Sequence, residues 1–136
     1  MENLKKVFLD SNIIFSASLG GAAFQLLWEL SRQKKLELYS SNYCLVEALD
    51  NLQHLYPDKV SNYNKKIMSI NILTDYEASD WAKDLLPEKD ALILETAVQH
   101  KMKYLITGDK KHFGKLMERN DLKIKILTIK SFLLNA

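Results

Sequence analysis

Five short apolar stretches, each followed by a helical stretch, constrain this chain more than any other feature of its 136 residues. They lie at 5–10, 36–40, 70–73, 104–107 and 123–127. Each is short, rich in Val, Ile, Leu or aromatic residues, and bounded by polar or helix-forming sequence. Between them the spacing predicts helices. Phe24, Leu27, Trp28 and Leu30 form a stripe within 20–35, and Leu45, Leu49 and Leu52 form another within 41–55. Ala91, Leu94, Ala97 and Val98 share a face within 88–101. Further helices are predicted over 58–69, 76–86, 109–119 and 129–136. Ser41 or Asn42, Pro57, Asp75 and Pro87 are the expected start signals. Strands that alternate with helices imply a three-layer α/β/α fold around a five-stranded parallel sheet with right-handed crossovers. In such sheets ligands bind at the carboxyl ends of the strands, where the strand order reverses.

The remaining sequence adds few complications. The expected organisation is a single domain over residues 1–136, with no internal repeat, linker or low-complexity segment. With 47% hydrophobic and 26% charged residues, a soluble globular chain is expected. Cys44 is the only cysteine, so neither an internal disulfide nor a cysteine-based metal site can form, and a reducing cytoplasm suits the chain. The N-terminal apolar run is broken at Asp10 and Asn12 and does not read as a secretory signal, and no run reaches membrane-spanning length. Charge is uneven: residues 1–100 carry 10 basic and 14 acidic side chains, whereas residues 101–136 carry 9 basic and 3 acidic. That asymmetry fits a polyanionic partner, and it equally fits a solvated basic helix with its flanks.

Chemistry enters where the strands end. In KKVFLDSNIIFSA the apolar run stops at Asp10, Ser11 and Asn12 and resumes at Ile13, Ile14 and Phe15. The expected reading is a strand ending at Asp10, a turn through Ser11 and Asn12, and renewed packing beyond it. YLITGD repeats the arrangement at Thr107, Gly108 and Asp109. Both acids could simply cap a turn or helix, a role compatible with a functional one. Asp90 opens a predicted helix in line with Leu94 and Ala97, so it lies on the inward face, where an unpartnered carboxylate is costly. Glu47 adjoins the Leu45/Leu49 face, and Asp50, one turn on, is its rival. Two carboxylates ~4 Å apart repel by about 4 kcal/mol at an effective dielectric near 20. A divalent cation relieves that repulsion, and all-oxygen ligands favour Mg²⁺ or Mn²⁺, the ions of phosphodiester hydrolysis.

Order and spacing carry a resemblance. FLDSNIIFSA, VEAL and DALILETAVQHKMKYLITGDKKHF together resemble the PIN-domain nucleases, small VapC-like toxins in particular, over nearly the whole chain. The resemblance implies that Asp10, Glu47, Asp90 and Asp109 are catalytic and surround one or two Mg²⁺ or Mn²⁺ ions, with Asn12 and Thr107 orienting them. It implies metal-dependent hydrolysis of RNA without a covalent enzyme intermediate, an antitoxin protein as inhibitor and a homodimer. Many relatives have an acid just before the Phe that follows the fourth strand; here it is His112, before Phe113. His112 therefore departs from the metal-ligand pattern and is read either as a phosphate contact or as an ordinary helix residue. Lys110, Lys111 and Lys115 flank Asp109 and are the expected contacts to the RNA backbone.

The expected function is thus a cytoplasmic, divalent-metal-dependent endoribonuclease, the toxin of a toxin–antitoxin pair. A structure-specific DNA nuclease would use the same chemistry, but the chain has no long insertion or extra domain for it. An inert PIN-like module that binds RNA or protein stays open because of His112. A receiver-like phosphoacceptor normally has paired acids early in the chain, and here only Glu2 precedes Asp10.

Overall fold

The computed structural model describes residues 4–135. Its five strands are β1 (Lys5–Leu9), β2 (Leu36–Ser41), β3 (Ile70–Leu73), β4 (Tyr104–Ile106) and β5 (Lys125–Leu127). All neighbouring pairs are parallel, in the order β3-β2-β1-β4-β5. The chain steps outward from β1 to β2 and β3, then returns to the other side of β1 for β4 and β5. The switch point of the sheet therefore lies between β1 and β4.

Side chains alternate across a strand, so each central strand feeds both layers. Val7 and Leu9 face one core with α1 (Ser11–Leu19), α2 (Ala22–Arg32), α3 (Asn42–Leu55), α4 (Val60–Ile67) and α8 (Ile129–Asn135). Phe8 faces the other with α5 (Asp80–Leu85), α6 (Glu88–Gln99) and α7 (Lys110–Phe113). Ile106 and Leu105 of β4 divide in the same way. All five strand side chains are fully buried. Among the described residues no single helix is long and apolar enough to cross a membrane.

The expected sheet is present, and the main correction falls just after Asp10. Residues 11–19 do not turn and resume packing irregularly; they form α1. Asp10 is its N-cap, with the side chain accepting from Ser11 N and the backbone carbonyl accepting from Ile13 N and Ile14 N. Ile13, Ile14, Ala17 and Ser18 are buried, which is helical rather than strand spacing. β-branched residues had disguised the helix, and burial of one face outweighs their weak helix propensity. The helix stops at Gly20 and Gly21, both at positive φ (111° and 126°), where a side chain would be strained.

Smaller differences have equally local causes. Pro57 opens a 3₁₀ turn (Pro57–Lys59) ahead of α4. Ser41 rather than Asn42 caps α3, its Oγ accepting from Cys44 N. Asp75 caps no helix: Ser79 precedes α5, while the Asp75 carboxylate accepts from Tyr43 N at 3.2 Å. The predicted C-terminal helix is present as α8, and its expected last residue, Ala136, lies outside the described residues.

The irregular segment 74–79 is stitched to α6. Glu95 is 1% exposed, and its carboxylate accepts from Ser79 N (2.9 Å), the Ser79 hydroxyl and Gln99 Nε2 (2.7 Å). Thr96 Oγ1 accepts from Tyr76 N at 2.9 Å, and His100 Nε2 lies 2.9 Å from the Thr74 carbonyl oxygen. Burial pushes the Glu95 carboxyl up, but the hydrogen bonds to its charged form outweigh burial, and the net direction is down from 4.5. A depressed folded pKa stabilises the protein above the unfolded value, and that stability is lost as pH falls through the folded value. Glu95→Leu should therefore cost about 1–3 kcal/mol at pH 7. Urea unfolding should show this deficit shrinking as the pH is lowered below the ordinary 4.5 of a glutamate.

Candidate active site

Four elements deliver carboxylates to one cleft of about 490 Å³ at the carboxyl edge of the sheet. Asp10 arrives from the end of β1, Glu47 from α3, Asp90 from the first turn of α6 and Asp109 from the loop after β4. Asp50, the rival to Glu47, is exposed and does not line this cleft. A larger cleft of about 930 Å³ lies between α2 and α4, but its one acid, Glu29, is paired with Arg32 at 2.8 Å. The converging acids therefore lie in the smaller cleft.

Asp10 is 2% exposed and firmly held. Its Oδ2 accepts from Thr107 Oγ1 at 2.7 Å and Asn12 Nδ2 at 3.2 Å, and its Oδ1 accepts from Ser11 N at 2.7 Å. Asn12 Oδ1 accepts from Gly108 N at 2.8 Å, and Thr107 Oγ1 accepts from Asp109 N at 3.1 Å. Asn12 and Thr107 thus tie the end of β1 to the loop after β4. Glu47 joins through Ser11, whose Oγ donates to Glu47 Oε1 at 2.5 Å, and through Tyr43, whose hydroxyl donates to Oε2 at 3.3 Å. Ser11, expected only as a turn residue, and Tyr43 are thus additions to the expected site. The spacing of Tyr43 four residues before Glu47 on one helix was the available signal.

A second group faces the first. Asp109 caps α7 by accepting from His112 N at 3.0 Å. His112 Nδ1 lies 2.8 Å from Asp109 Oδ2 and 3.1 Å from Asp90 Oδ2. One ligand atom from each of Asp90, Asp109 and His112 lies within 4.8 Å of the others. Lys110 lines an adjoining cleft of about 510 Å³, with Asn12, Thr107 and Asp109. Lys111 and Lys115 are exposed nearby but line neither cleft. Lys89, not anticipated, lines the acidic cleft itself.

Electrostatics set the acids apart. Burial pushes the Asp10 carboxyl up to about 6; hydrogen bonds from Thr107 and Ser11 resist this, and the Asp90 and Glu47 charges add to it. Asp90 is also raised, first by burial and then by Asp109, against the pull of His112. Asp109 goes the other way: burial raises it, but bonds from the His112 backbone and ring leave it below the usual range. Among the described residues, none of the four acids has a Lys or Arg ion-pair partner within 4 Å. Converging, partly desolvated carboxylates without a Lys or Arg partner form an oxygen-rich donor set suited to a hard divalent cation.

The PIN-domain family profile matches residues 6–111, which include all four acids. The chain belongs to the PIN-domain family. No curated protein matches its sequence at significance. Solved structures share the PIN fold at low identity. A VapBC2 structure from Rickettsia felis, bound to a DNA fragment from their promoter, superimposes with a TM-score of 0.65 at 15% identity. The match covers 89% of this chain and 96% of that one. A toxin–antitoxin complex from Klebsiella pneumoniae gives 0.61 at 18% identity, over 90% and 97% of the two chains. The PIN domain endonuclease Utp24 gives 0.55 at 21% identity, over 90% and 84%. At these identities the likeness is one of fold.

Thr107 is the hydroxyl that joins the two halves of this PIN site. Thr107→Val keeps its volume but leaves a buried Asp10 oxygen without its shortest bond, and should cost about 1–3 kcal/mol in denaturant unfolding. The same change should weaken divalent-cation binding to the cleft by about 10–100-fold, measured by equilibrium dialysis, because the orientation of Asp10 is lost.

Proposed function

We propose that this PIN-domain protein is a divalent-metal-dependent endoribonuclease, the toxin of a toxin–antitoxin pair acting in the cytoplasm. The observation that carries the reading is the convergence of Asp10, Glu47, Asp90 and Asp109 from four elements on one cleft beside the β1/β4 switch point. A PIN domain endonuclease and a toxin–antitoxin complex share the fold, which supports the nuclease and antitoxin parts of the proposal. A second copy of the chain is the other expected partner.

In this reading the four carboxylates hold Mg²⁺ or Mn²⁺. When bound, such an ion neutralises developing phosphoryl charge and lowers the pKa of a coordinated water. The chain's own residues set the stage. Thr107, Asn12 and the Ser11 N–H fix the Asp10 rotamer, and Ser11 Oγ and the Tyr43 hydroxyl fix Glu47. Exposed Lys110, Lys111 and Lys115 contact the RNA backbone by charge, without base readout. A covalent route through Cys44 is disfavoured: burial and the Asp10 charge push its thiol up to about 12, so it is not a thiolate at neutral pH.

The test uses purified protein on matched single-stranded RNA and flap-DNA substrates with Mg²⁺ or Mn²⁺. RNA should be cut, EDTA should stop it, and Asp10→Asn should lower the rate at least about 10²-fold, an effect of the size lost with a single charge-stabilising group. Undiminished cutting by Asp10→Asn would overturn the mechanism. Preferential cutting of flap DNA would overturn the substrate assignment, and RNA binding without metal binding would mark an inert module.

A further inference from the structure

His112 occupies the position at which many PIN relatives carry an acid, and, although exposed, its ring is held against two carboxylates. The short helix α7 begins at Asp109, whose Oδ1 accepts from His112 N at 3.0 Å. Phe113, the next residue, is fully buried and pins the turn to the core. With both backbone and neighbour fixed, the imidazole folds back over Asp109 instead of reaching outward. Its Nδ1 then sits between Asp109 Oδ2 at 2.8 Å and Asp90 Oδ2 at 3.1 Å. Two carboxylate oxygens and one imidazole nitrogen converge within 4.8 Å. Two carboxylates this close favour positive charge between them, and among the described residues no Lys or Arg makes an ion pair there.

We propose that His112 is a metal ligand through Nδ1, sharing an ion with Asp90 and Asp109 and biasing this site toward Mn²⁺ over Mg²⁺. The proposal rests on the metal-dependent reading of the same cleft. Imidazole nitrogen is a borderline donor that first-row transition ions accept readily, whereas Mg²⁺ strongly prefers oxygen. A nitrogen in the set therefore costs Mg²⁺ more than it costs Mn²⁺. For ligation Nδ1 must present its lone pair, which puts the ring proton on Nε2. The competing roles are an imidazolium that merely bridges the two acids and a phosphate contact in the bound RNA.

Pulsed electron paramagnetic resonance on the Mn²⁺-loaded protein separates them without an activity assay. The wild type should show ¹⁴N coupling to bound Mn²⁺, and His112→Gln and His112→Asp should each lose it. In equilibrium dialysis, His112→Asp should reduce the Mg²⁺/Mn²⁺ ratio of dissociation constants by about tenfold or more, the low end of what a change to the ligand shell produces. Mn²⁺ bound by the wild type without ¹⁴N coupling overturns the role of His112 and leaves the metal site standing. No Mn²⁺ bound by the wild type overturns both. Should His112→Asp fail to fold, the wild-type spectrum and His112→Gln decide.

Discussion

The short hydrogen bond from Thr107 Oγ1 to the buried Asp10 carboxylate holds the acidic edge of this molecule together. It joins the ends of two adjacent parallel strands that are distant in sequence, β1 and β4, at the point where the sheet reverses its order. Asp10 also caps α1, and through Ser11 it is linked to Glu47 on α3. Asp10 therefore ends a strand and starts a helix, and its neighbour Ser11 reaches a second acid. A carboxylate buried to 2% exposure is tolerable only because its oxygens are so fully engaged.

The arrangement is poised electrostatically rather than neutralised. Asp10 is pushed up to about 6 by burial, and Asp90 is raised as well, so both are costly to keep charged without a partner. Asp109 is the exception, because His112 bonds to it through backbone and ring alike. The cleft thus has two halves. One is a rigid oxygen pair, Asp10 and Glu47, tied through Ser11; the other is Asp90 and Asp109, with an imidazole between them. Among the described residues, the neighbouring lysines make no ion pair with these acids.

Rigidity away from the cleft serves the same end. Glu95 and Thr96 on α6 hold the irregular segment 74–79, and that segment returns Asp75 to Tyr43 N at the start of α3. The Tyr43 hydroxyl then meets Glu47. A buried acid that touches none of the four carboxylates thus helps fix the helix that presents one of them. Such support was invisible to sequence reading, because Glu95 in a helix looks like any solvated glutamate.

Alternating apolar and helical segments determined the layered parallel sheet on their own, because βαβ order leaves few topologies and fixes their hand. Asp10, Asp90 and Asp109 were legible for a related reason: each sits at a strand end or helix start, where local sequence dictates position. α1 was missed because Ile13, Ile14 and Phe15 favour strands locally, and only burial against α3 and α4 makes them a helix. The choice of Glu47 over Asp50 as the acid lining the cleft depended on the rotation of α3, which packing sets. The place of His112 between Asp90 and Asp109 was likewise a tertiary decision. Those acids lie 22 and 3 residues away along the chain, and only the β4 crossover and the buried Phe113 bring all three together.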